Sequence, residues 1–276
     1  MKASGWPVIH DYLLKRRPEE FGIGDLKVTH AWTQDSTVTA ALCRAARIEQ
    51  SVKHPEEMLG EIDALILARD DAESHWPLAR PFLEAGLPVF IDKPLTLDRE
   101  QLEAFTPYLE SGQLMSCSGM RYAQELSVLR DQLTDYGTLK LVRGTILNDW
   151  ERYGIHLLEA LLSLLPSRPV SVQALPTGVE SLLIRLEDDT PVIIDVLGDV
   201  PAIFDIEVIG SRRVSRHSLR DNFSMFRQLL LAFSDMVARQ SPTIPAAETL
   251  TIMNTLIAGR EALRNDREIG LELAFS

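Results

Sequence analysis

The sequence predicts an α/β fold: a parallel sheet built from alternating strands and helices, then an α+β part with an open, mainly antiparallel sheet. Three observations carry this reading. Up to about residue 122, short apolar runs alternate with amphipathic helical segments at the spacing of right-handed βαβ units. After residue 166, four strand-like runs follow one another with only turns between them, the pattern of antiparallel pairing. Two amphipathic helical stretches then close the chain.

Taken in order, LKVTHAW (26–32) reads as a strand and STVTAALCRAARI (36–48) as a helix, with Asp35 in the capping position. HPEEMLGEI (54–62) is a short helix whose acidic residues fall in the first turn, where the helix dipole favours them. IDALILARD (62–70) is a buried strand, AESHWPLARPFLEAG (72–86) a helix closed by Gly86, and LPVFIDKP (87–94) a strand. DREQLEAFTPYLESG (98–112) is a further helix with a glycine stop, and QLMSCSGMRY (113–122) a further strand. The second part opens with the strand TLKLVRGTIL (138–147) and the helix ERYGIHLLEALLSLLP (151–166). PVSVQAL, SLLIRLED, TPVIIDVLG and IFDIEVIGS are its strands, and residues 223–240 and 246–263 its closing helices. The change of periodicity divides the chain into domains at 1–122 and 123–276.

Composition narrows the function. A formal charge of −12 disfavours a nucleic-acid surface, which needs a net basic face. No apolar run reaches the ~18 residues that span a bilayer. The first twenty residues hold no uninterrupted apolar stretch, so no signal peptide is expected. Cys43 and Cys117 lie far apart without ligand spacing, which suits reduced thiols in a cytoplasmic protein and no metal site. The expected partner is a small molecule.

The strand LPVFI ends abruptly on Asp92, Lys93 and Pro94. Ligands of parallel α/β sheets bind beyond the carboxyl ends of the strands, and Lys93 and Arg121 both stand at such ends. EAGLPVFIDKPLTLD looks like the "EKP" segment of the glucose–fructose oxidoreductase/inositol dehydrogenase/MocA family, with Asp92 in the glutamate's place. YGIHLLEALLSLLP resembles that family's D-x-G-x-H-x-x-D helix, supplying Gly154, His156 and Glu159. The resemblance runs from about residue 26 to the end, and it lies in the order and spacing of the motifs. It implies a Rossmann-like nucleotide-binding domain, N-terminally shortened, ahead of a substrate and oligomerisation domain. It further implies NAD or NADP as cofactor and a sugar, cyclitol or sugar-acid substrate oxidised at a CH–OH group. By that resemblance Lys93 and His156 are the catalytic residues, and Asp70, Asp92, Lys93 and Pro94 meet the cofactor. Arg121 and Tyr153 meet the substrate. A partly desolvated lysine at a sheet edge suits removal of a hydroxyl proton as hydride leaves.

Three departures qualify the resemblance. The G-x-G-x-x-G turn is missing, since GIGDLK (22–27) precedes a strand instead of following one. Thr33 stands where the ribose-binding acid is expected, with Asp35 nearby, and Arg152 replaces the first aspartate of the histidine motif. A central strand contributes about ten ladder hydrogen bonds at about 1 kcal/mol net each, so its place has to be filled. WPVI (6–9) fills it, or LKVTHAW pairs directly with DALILAR, or the natural chain begins earlier. A relative that keeps the fold as a ligand-binding or regulatory module is the competing function.

One further expectation concerns assembly. Leu182, Ile184, Val192 and Ile194 are read as apolar residues on both faces of the open sheet. That pattern predicts a homodimer or homotetramer through the C-terminal sheet, as the resemblance also implies.

Overall fold

The computed structural model describes residues 14–24 and 26–271. β1 (His30–Ala31) and β2 (Gln50–Ser51) pair in parallel as a small separate sheet. Between them lies α1 (Ser36–Ala46), capped by Asp35, whose carboxylate accepts the Thr37 N–H at 2.8 Å. It ends where Arg47 turns left-handed at φ 57°.

β3 (Leu65–Leu67), β4 (Val89–Ile91) and β5 (Leu114–Met115) form a parallel sheet in that order. The crossovers are α2 (His75–Glu84) and α3 (Arg99–Glu110), the latter capped by Asp98 on the Gln101 N–H at 2.9 Å. All three residues of β4 are buried, as an uninterrupted apolar run in a parallel sheet requires. Val89 and Ile91 join the main core with Phe82, Leu83 and Phe105. Phe90 joins a second cluster, its ring 5.9 Å from that of Phe233. A helix from the second half of the chain therefore covers one face of the first half's sheet. Gly112, which closes α3's turn at φ 74°, also admits that half of the chain. A Cβ there would stand 2.5 Å from the Pro242 nitrogen.

After the short helix α4 (Ser127–Asp131) comes a seven-stranded sheet. Its strands are β6 (Leu139–Ile146), β7 (Pro169–Ala174), β8 (Glu180–Leu186), β9 (Pro191–Val196), β10 (Phe204–Gly210), β11 (Val214–Ser218) and β12 (Ile269–Gly270). The order is β11-β10-β6-β9-β8-β7-β12, with β6 and β9 parallel and every other neighbouring pair antiparallel. α5 (Ile155–Leu162) and α7 (Ala246–Asn265) pack on one face, while α6 (Asn222–Arg239) carries Phe233 to the parallel sheet. The fold class read from the sequence is thus the fold observed.

Several details differ. The strand expected over 26–32 is confined to His30–Ala31, and the one over 113–122 ends at Met115 and gives way to a 3₁₀ turn at Gly119–Tyr122. The helix at 151–166 begins with a wide π turn, Trp150–Gly154. β11 has no strand signature in the sequence, because VSRHS holds one apolar residue; its burial is poor and backbone pairing to β10 holds it. LKVTHAW does not pair with DALILAR, since β1 is bonded to β2 and β3 to β4 in separate sheets. WPVI lies outside the described residues.

The expected split of Leu182, Ile184, Val192 and Ile194 between the two faces of the open sheet is also corrected. Leu182 faces Ile194 and Ile184 faces Val192 across the β8–β9 ladder, and all four are fully buried. Residues two apart on a strand share one face, so these four build a single apolar face turned to the protein's own helices. The opposite face is mixed: Leu183 and Ile193, half-buried, face one another on it beside charged and polar residues. There Asp195 accepts from Arg143 Nε at 2.6 Å and from the Ser181 hydroxyl at 2.6 Å, and Arg216 Nε donates to Glu207 at 2.6 Å.

Candidate active site

The polar groups of interest collect where the parallel strands end. Lys93 follows β4 directly, and its ammonium lies 3.9 Å from the Asp70 carboxylate beyond β3. The two differ in setting: the Lys93 side chain is 16% exposed and the Asp70 side chain 93%. The Lys93–Pro94 peptide bond is cis. Asp92 accepts the Lys93 backbone N–H at 2.9 Å, and burial pushes its carboxyl up against the opposing pull of Lys93. His75, fully buried, braces this edge, its two ring nitrogens on the carbonyls of Leu95 at 3.0 Å and Arg69 at 3.1 Å.

α5 brings the second set, and its entry is fixed by Trp150. The indole is buried, and its Nε1 donates to the Leu256 carbonyl at 2.8 Å. Gly154 lies flat against that ring: a Cβ there would come within 2.6 Å of Trp150 Cε3. The glycine of the histidine motif is therefore a packing requirement. Two residues on, His156 places Nδ1 2.6 Å from the Ser118 hydroxyl, and its ring meets Tyr153 edge-on at 5.3 Å between centroids. Burial, with a smaller contribution from Lys93, drives the imidazole down to about 3, so the ring is neutral at ordinary pH. Lys93 lies near enough for its charge to oppose a positive charge on the His156 ring.

Arg121 is enclosed beside them. Its Nε donates to Glu159 at 2.8 Å and its Nη1 to Glu248 at 2.7 Å, while Nη2 is buried without a hydrogen bond. Burial works against this cation, but the two carboxylates outweigh it and hold its pKa above the usual arginine range. Burial likewise raises Cys117 and Tyr122, and pushes Glu159 up to about 7 against the pull of Arg121. Ser118, Glu248 and Tyr122 were not singled out from the sequence. The signal available for Ser118 was its place just past an apolar strand, the same feature that marked Lys93.

The fit to a nicotinamide dinucleotide is uneven. At the ends of β3 and β4, the exposed carboxylate of Asp70 and the Asp92–Pro94 backbone suit a ribose and a nicotinamide. At the end of β1 the groups are already committed. The Thr33 hydroxyl donates to the Asp35 carbonyl at 2.8 Å, and the Asp35 carboxylate accepts both the Thr37 amide and the Thr37 hydroxyl. Arg152, in the motif's aspartate position, points its exposed guanidinium back to Asp149 at 2.6 Å. Among the described residues no group of His, Cys, Asp and Glu is arranged to hold a metal ion, and no helix is long and apolar enough to cross a membrane.

The molecule thus joins a helix-covered parallel sheet to an open mixed sheet, with Lys93 directly after a parallel strand and His156 on a helix of the second part. Residues 9–118 match the model of the Gfo/Idh/MocA group, described as an oxidoreductase family with an NAD-binding Rossmann fold. Solved structures of the same fold include the scyllo-inositol dehydrogenase of Lactobacillus casei in its apo form. It superposes at a TM-score of 0.79 and 16% identity over 96% of this chain and 95% of that one. The myo-inositol 2-dehydrogenase of Lactobacillus plantarum gives 0.80 and 15% over 91% and 93%. The myo-inositol dehydrogenase of Lactobacillus casei, in complex with NAD(H) and myo-inositol, gives 0.79 and 16% over 91% and 90%. At these identities the likeness is one of fold. No curated protein matches the chain.

Proposed function

We propose that this protein is an oxidoreductase acting on a CH–OH group of a sugar, cyclitol or sugar acid, with Lys93 and His156 at the reacting oxygen. The observation that carries this reading is the convergence of Lys93, at the carboxyl end of β4, with His156 of α5 in one partly enclosed site. In the oxidising direction Lys93, as its neutral amine, takes the hydroxyl proton and becomes the ammonium, and in the reverse direction the ammonium returns it. NAD or NADP, when bound, supplies the hydride acceptor, with Asp70, Asp92, Lys93 and Pro94 lining its nicotinamide side. Tyr153, edge-on to His156, contacts the substrate. Arg121 contacts the substrate as well, and also clamps α5 through Glu159. The division into domains at 122/123, and assembly as a homodimer or homotetramer through the open sheet face, belong to the same reading. The inositol dehydrogenases of this fold make a cyclitol the first substrate class to test.

A second reading, a ligand-binding or regulatory module that has lost the dinucleotide, is favoured by one observation: Thr33 and Asp35 are spent on capping α1. The given sequence holds no G-x-G-x-x-G, a turn whose charge-assisted phosphate contacts are worth about 1.5–3 kcal/mol each. Calorimetric titration with NADH and with NADPH, paired with a polyol panel followed by nicotinamide absorbance, separates the two. The first reading expects millimolar affinity or weaker, and turnover of at least one polyol at high cofactor. Polyol binding without turnover at any cofactor concentration decides for the second.

A further inference from the structure

Ser118 stands between β5 and the 3₁₀ turn at Gly119–Tyr122, and its hydroxyl has two partners. It accepts the Met120 N–H at 3.1 Å and lies 2.6 Å from His156 Nδ1. A hydroxyl has one hydrogen to give. The Met120 amide is a donor only, so that contact uses a lone pair and leaves the hydrogen for the imidazole. Ser118 is 1% exposed. If Nδ1 carried a proton, the serine hydrogen would be enclosed with no acceptor among the described residues, an arrangement that folded proteins avoid. Nδ1 is therefore the acceptor.

A neutral imidazole that accepts at Nδ1 carries its hydrogen at Nε2. Burial excludes the doubly protonated ring. Nε2 has no hydrogen bond among the described residues and is not an enclosed atom, so it remains available to a ligand. The geometry is held from behind. Glu159, three residues after His156, binds Arg121 at 2.8 Å and takes the backbone N–H of Ser118, so residues 118–121 and α5 are tied at two points.

We propose that Ser118 is a positioning residue that fixes His156 as the Nε2–H tautomer, making the imidazole a hydrogen-bond donor to the substrate oxygen and leaving proton removal to Lys93. The tautomer follows from the contacts alone, whereas the role toward the substrate rests on the function proposed above. In alcohol oxidation the oxygen then loses its proton to the neutral Lys93 amine, as hydride leaves the carbon for the nicotinamide, while receiving the Nε2–H hydrogen bond, which strengthens as negative charge builds on it. In the reverse direction the same N–H polarises the carbonyl.

The test is a multiple-bond ¹H–¹⁵N correlation of the full chain labelled with ¹⁵N-histidine at neutral pH, with His156 assigned by its loss in His156→Gln. The expected spectrum has an unprotonated Nδ1 and a protonated Nε2 for His156. Ser118→Ala should replace that pattern with an average of exchanging tautomers, and Ser118→Thr, which keeps the hydroxyl, should restore it. A protonated Nδ1 in the wild-type protein, or an unchanged pattern in Ser118→Ala, overturns the proposal. Thermal melting confirms that each variant is folded. Should Ser118→Ala fail to fold, the wild-type spectrum decides. Absence of polyol turnover counts against the proposed activity and leaves the tautomer assignment standing. Where turnover is found, Ser118→Ala should lower kcat with little change in KM.

Discussion

Glu159 of α5 and Arg121 after β5 meet at 2.8 Å with both side chains almost wholly enclosed. Glu248 reaches the same guanidinium at 2.7 Å, so one buried cation serves two carboxylates. That ratio explains why burial can push Glu159 up to about 7 despite the ion pair.

This relationship has a pH signature. The folded pKa of Glu159 lies above its unfolded value of 4.5, so the folded state holds the proton more tightly. Its contribution to stability is complete below about 4.5 and is lost as pH rises through about 7. Between those two values the loss amounts to about 1.4 kcal/mol for each pH step of one. Glu159→Gln keeps an acceptor for Arg121 and removes the titration, so its Tm should fall less between pH 5 and pH 8 than that of the wild type. Equal slopes for the two proteins would show that Glu159 does not titrate in this range.

Lys93 tests the chemistry. Its nearest charged partner, Asp70, is 3.9 Å away and almost fully exposed, so the pair adds little to stability. Lys93→Ala is expected to cut turnover by roughly 10²–10⁴, the usual range for general acid–base catalysis, with Tm nearly unchanged. A variant with full activity on the true substrate removes Lys93 from the mechanism.

Gly154 tests the packing. Its added methyl would stand 2.6 Å from Trp150 Cε3, on a rigid ring anchored by its own hydrogen bond to Leu256. Overpacking of this kind costs about 1–3 kcal/mol, and Gly154→Ala should lose that much in a urea titration. Wild-type stability would mean that the indole shifts freely.

Assembly needs its own measurement, because Leu182, Ile184, Val192 and Ile194 are buried inside the protein and offer nothing to a partner. The face left open by the seven-stranded sheet carries Arg143, Asp195, Glu207 and Arg216. The same face also carries the half-buried Leu183 and Ile193, so a dimer or tetramer built on it should be seen by light scattering at both low and high salt. A monomer at micromolar concentration under both conditions rules it out.

The sequence by itself determined the order and type of most elements, because period-two and helical patterns are local and so are caps such as Asp35 and Asp98. It also singled out Lys93 and His156 as candidates, each marked by its neighbours in the chain. Tertiary structure decided what those residues touch. It paired Ser118 with His156, set Arg121 between Glu159 and Glu248, and placed Phe233 on Phe90. It also turned Leu182, Ile184, Val192 and Ile194 to one face. The physical reason is that a hydrogen bond or an ion pair depends on distance in space. Residues 118 and 156, or 121 and 248, carry no local pattern that records their approach, and only the packing of α5 and α7 against the end of β5 brings them within reach.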